Sequence, residues 1–111
     1  MTLIEAKEFL RNKYFRDCAS KEDVQKVMAD YVNECFDEKN AKTALKYLEK
    51  IQYKAYKMSP DKATEKAMNY MFNEFSTIVK KKKLAKKEDF NATTFIIMTI
   101  LSAEIENEFD N

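Results

Sequence analysis

The chain has 111 residues, 45% of them apolar, with 20 basic and 19 acidic groups and a net charge of +1, which suits one domain with enough apolar material for a core. It contains no glycine, no histidine and a single proline, Pro60. The first absence excludes the P-loop, the dinucleotide fingerprint, the serine nucleophile elbow and the EF-hand loop; the second excludes Ser-His-Asp and Cys-His catalysis and every histidine-bearing metal motif.

Average usage would place roughly eight glycines in such a chain, mostly in tight turns and bulges, so their absence points to helices joined by short, ordinary connections. Residues 3–15 carry Leu3, Ala6, Leu10 and Tyr14 at helical spacing, with Phe9 and Phe15 alongside, and form a short first helix. Ser20 followed by Lys21-Glu22-Asp23 places a hydroxyl at a cap and acids in the first turn of a second helix, 21–38. Its inward stripe is Val24, Val27, Met28, Tyr31, Val32, Cys35 and Phe36. Asn40 is the expected junction, being a good left-handed C-cap and a good N-cap.

The third helix spans 41–58, with Ala41, Ala44, Leu45, Leu48, Ile51, Gln52 and Ala55 inward. Ser59-Pro60-Asp61 opens the fourth, 60–82: serine caps, proline takes the first helical position, and aspartate meets the dipole. Ala63, Ala67, Met68, Met71, Phe72, Phe75, Ile78 and Val79 face inward, and lysines follow at the C-terminal end. After a connection over 84–90, Asn91 caps the fifth helix, 92–109. Its run Phe95 to Leu101 is apolar all round except at Thr99, Ser102 and Glu106, and its β-branched residues also admit a strand; the helical continuation Ala103, Ile105, Phe109 decides for helix. The fold class is all-α: a compact single-domain bundle of four to five helices, 1–111. The last helix is central in the bundle, or buried against a second copy of the chain through Phe95, Ile96, Ile97 and Ile100.

Cys18 and Cys35 are too far apart for a CxxC motif and read as reduced thiols, Cys35 in the core. The N-terminus has acids where a secretory signal would be apolar, and no stretch approaches a membrane span, so a cytoplasmic protein with no membrane partner is expected. Glu104, Glu106, Glu108 and Asp110 read as a frayed, solvated end. No catalytic residue, metal site or cofactor is expected.

What remains is uneven charge: net −2 over 1–39, +7 over 40–90 and −4 over 91–111. Lys42, Lys46, Lys50 and Lys54 recur every four residues and form one ridge, with Lys57 near its end and Tyr47, Tyr53 and Tyr56 beside it. Either this is a solvated helix face whose lysine stems shield the rings, or it binds phosphate or an acidic protein. Lys80, Lys81, Lys82, Lys83, Lys86 and Lys87 put six lysines in eight residues. They serve as a helix C-terminus offset by Glu88, Asp89 and the acidic tail, as a phosphate-backbone contact, or as a nuclear localisation signal. Only Arg11 and Arg16 supply guanidinium groups, so base-specific readout is not expected. The leading expectation is a non-enzymatic protein acting through protein-protein contacts, as a regulator, inhibitor or subunit of a larger assembly, of the motif-free kind made by phages, mobile elements and host complexes. The alternative is a backbone-level nucleic-acid binder using the 42–57 ridge and the 80–87 cluster.

Overall fold

A computed structural model describes residues 2–58 and 65–110. Among them the chain is all-α, with α1 Leu3–Leu10, α2 Lys21–Cys35, α3 Glu38–Met58, α4 Glu65–Lys81 and α5 Ala92–Phe109, and no strand. The Ser59-Pro60-Asp61 start of the fourth helix, and Ala63, lie outside the described residues. By its contacts the chain divides into two compact units, Met1–Val32 with Thr94–Asn111, and Asn33–Thr93.

In the first unit, α1 opens on a capping box that the sequence contains as Thr2-x-x-Glu5. The Thr2 hydroxyl accepts the Glu5 N–H, and the Glu5 carboxylate accepts the Thr2 N–H, both at 3.1 Å. The helix then widens into a π-helical turn, Arg11–Phe15. Leu10 and Phe15 are buried, whereas Phe9 is 56% exposed. Ser20 caps α2 as expected, its Oγ accepting the Asp23 N–H at 3.2 Å. Tyr14 meets Tyr31 edge to face and Tyr31 stacks on Phe95, at centroid distances of 5.4 and 5.8 Å. On α5, Phe95, Ile96, Ile97, Met98, Leu101 and Ile105 are all buried and Ile100 half-buried. Within one copy of the chain Phe95, Ile96 and Ile97 are thus already covered, and of the four only Ile100 keeps part of its side chain exposed. The polar stripe is satisfied locally: the Thr99 hydroxyl donates to the Ile96 carbonyl at 2.7 Å and the Ser102 hydroxyl to that of Thr99 at 2.9 Å.

In the second unit the junction differs from the expected one. The second helix ends at Cys35, not 38, and the third begins at Glu38, not 41. Asp37, not Asn40, makes the cap: its Oδ1 accepts the Asn40 N–H at 3.1 Å and its carbonyl the Ala41 N–H at 2.8 Å. The chain breaks there because Phe36 turns fully inward, its ring 5.1 Å from that of Phe90, which in turn lies 6.2 Å from Phe75. Cys35 is correspondingly half-buried rather than core. As the last residue of α2 it offers its carbonyl to the Lys86 N–H at 2.8 Å. α3 and α4 pack together through Ala41, Ala44, Leu48 and Ala55 on one side and Ala67, Met68, Met71, Phe75 and Val79 on the other. Small side chains on α3 facing larger ones on α4 allow close approach. Leu45, expected inward, is 40% exposed.

Candidate functional site

The position of the lysines matters because of where the acids are. The C-terminal carboxylates, expected to be solvated, each hold a partner in the first unit. Lys7 Nζ binds Glu104 at 2.6 Å and Arg11 Nη2 binds Glu108 at 2.8 Å. Lys21 Nζ binds Asp110 at 3.1 Å, and Gln25 Nε2 donates to Glu106 at 2.8 Å. The alternate spacing of the four acids explains this arrangement. Glu104 and Glu108 lie one turn apart on one ridge and meet Lys7 and Arg11, whereas Glu106 and Asp110 form a second ridge that meets Gln25 and Lys21. The hydrogen bond from Arg11 holds the Glu108 carboxyl below its ordinary value, and the reciprocal bonds raise Arg11 and Lys21 above theirs. All four acids of the tail are thus held by partners within the first unit.

Those lysines and the α3 ridge lie in the second unit. Lys42, Lys46, Lys50, Lys54 and Lys57 are exposed along α3, as are Lys80 and Lys81 in the last turn of α4, and Lys82, Lys83, Lys86 and Lys87 beyond it. None of them forms an ion pair among the described residues, where the salt bridges all fall on residues of the first unit. The two lysine groups, separate in the sequence, converge at one ring. Lys50 Nζ and Lys82 Nζ lie 5.8 and 5.5 Å from the centroid of Tyr47. Farther along α3, Lys57 Nζ sits 4.6 Å from the centroid of Tyr53, which is itself 62% exposed. Lys46, Glu49, Lys50, Tyr53 and Lys54 line a surface hollow of about 530 Å³. Leu45 and Met58 are also exposed on this helix, at 40% and 44%.

Lys86 differs from the others: its Nζ donates to the Asn33 carbonyl at 2.6 Å and its N–H to that of Cys35. It caps the C-terminal end of α2, a structural use that removes it from the free cationic set. Lys83 also has a backbone role. It is the one described residue with positive φ, 53°. The Leu84 N–H reaches the Val79 carbonyl at 3.0 Å, and the Lys83 N–H reaches that of Lys80 at 3.2 Å. These are the two bonds of a Schellman motif, completed by burial of Val79 and Leu84, with lysine where glycine is usual. A left-handed lysine costs about 1 kcal/mol.

A second hollow, of about 380 Å³ in the first unit, is lined by Arg11, Asn12, Phe15, Arg16, Cys18, Ile105, Glu108 and Phe109. Burial, then Asp23 and Asp17, push the Cys18 thiol up, which keeps it protonated and a poor nucleophile. Among the described residues no group of three or more cysteines or carboxylates is placed to hold a metal ion, and no helix is long and apolar enough to cross a membrane. Comparison with protein-family models, with curated proteins and with solved structures finds no match.

Proposed function

We propose that this chain is a non-enzymatic helical protein that works by contact with another protein, as a regulator, inhibitor or subunit of a larger assembly, and that α3 carries the contact. The observation behind this reading is a cationic surface whose lysines form no ion pair among the described residues, bearing Leu45, Tyr53 and Met58. Apolar and aromatic side chains set among charges are the anatomy of a protein interface. Capture from the native host with the full chain, compared with Lys46→Glu/Lys50→Glu, tests it. One protein retained by the native chain in near-equal amount and lost by the variant is the expected outcome. Identical captures from both chains sink the reading.

Binding to a nucleic-acid backbone is the second reading, favoured by the convergence of Lys50 and Lys82 on Tyr47. It requires a gel shift that weakens steeply as salt rises. A shift unchanged when Lys46, Lys50, Lys82 and Lys83 are all replaced by glutamate ends it.

A further inference from the structure

Lys83 holds a conformation that asparagine or glycine would adopt at lower cost. The Schellman motif needs only its backbone: the 3.0 and 3.2 Å bonds involve main-chain atoms, and the apolar contact belongs to Leu84. The Lys83 side chain is exposed and makes no ion pair among the described residues. It therefore contributes little to this turn beyond favourable charge at a helix C-terminus, which Lys80 and Lys81 in the last turn already supply. Its neighbour Lys82 reaches Tyr47 on α3, so the turn continues the α3 surface. Backbone held in a costly region by its surroundings is a mark of functional positions.

Resting on the reading of α3 as the contact surface, we propose that Lys83 is a partner-binding residue, and that with Lys82 it extends that surface to engage an acidic protein segment carrying apolar side chains. Charge complementarity sets the sign of the partner. Two observations favour protein over nucleic acid. Leu45 and Met58 are exposed on α3 and offer nothing to a phosphate chain. Glu49 lies in the hollow among Lys46, Lys50 and Lys54, where it would repel a polyanion tracking the ridge but can meet a single lysine of a protein.

The test uses the full chain, a fluorescent helical peptide of glutamate and leucine, and an oligothymidylate of equal charge, with binding read by anisotropy at low and moderate salt. Lys83→Gly and Lys83→Asn both keep the turn, and melting curves check this, with Lys83→Gly expected to rise by about 2–4 °C. Each variant should bind the peptide about two- to fivefold more weakly than the native chain. Unchanged affinity in both, while Lys46→Glu/Lys50→Glu abolishes binding, overturns the role of Lys83 and leaves the α3 surface standing. Tighter binding of the oligothymidylate than of the peptide overturns the partner class. Binding of neither probe at low salt overturns the α3 reading itself.

Discussion

Asp37 does at one position what a glycine-containing chain would often do with a looser turn. It separates α2 from α3 by two residues, and its carboxylate receives the Asn40 N–H that the first turn of α3 leaves open. Asp37→Ala should lower stability by about 1 kcal/mol, the usual value of such a cap, measured by denaturant unfolding. Asn40→Ala should change it far less, because Asn40 lies inside the helix, where its N–H rather than its side chain makes the bond. The Thr2 and Glu5 pair is a T-x-x-E box, a local signal that apolar spacing over residues 3–15 passes over. Asp37 was harder to see, since Asp37-Glu38-Lys39-Asn40 offers two capping residues three apart, and only the burial of Phe36 against Phe90 chooses between them.

At the scale of elements, the acids of α5 orient two other helices. Lys7 to Glu104 and Arg11 to Glu108 advance together along α1 and α5, whereas Lys21 to Asp110 and Gln25 to Glu106 run in opposite directions. α1 is therefore parallel to α5, and α2 antiparallel to it. Half-exposed ion pairs contribute little to stability individually, yet a slip of one turn would leave only one of the Lys7 and Arg11 pairs in place. Arg11→Glu should lower the melting temperature, and adding Glu108→Arg should restore most of the loss. No recovery in the double variant would mean that the pair does not define this register. The buried side of α5 is set by packing instead, with Phe95, Ile96, Ile97 and Met98 consecutive and all covered.

Across the whole molecule, net charge conceals a division of labour between the units. The ion pairs among the described residues all lie in the first unit, and the lysines of the second make none there. This asymmetry predicts a pH profile. Hydrogen bonds from Thr2 and Arg11 hold Glu5 and Glu108 below their ordinary 4.5 in the folded chain, so the stability they supply is full above 4.5 and is lost as pH falls through the folded values. Lys21, raised above 10.5 by Asp110, acts in the other direction, its contribution declining only as pH rises past 10.5. Unfolding curves should therefore show an acid limb that shrinks in Arg11→Gln, while the same substitution leaves binding through α3 untouched.

Helix type and approximate extent were legible in the sequence because apolar spacing and caps are local properties. The first helix was expected at 3–15 and forms continuously over that span, as α1 and its π-helical turn. Four features were not legible: the break at Phe36, the coverage of the α5 run, the capping role of Lys86, and the destination of the acidic tail. Each depends on which distant residue arrives nearby. Counting charge along the chain balances the 80–87 lysines against Glu104 to Asp110, but pairing acts over a few ångströms, and within that reach the tail meets Lys7, Arg11, Lys21 and Gln25 instead. The lysines were visible from the start, and only the tertiary structure decided that Lys50 and Lys82 share one ring on one surface.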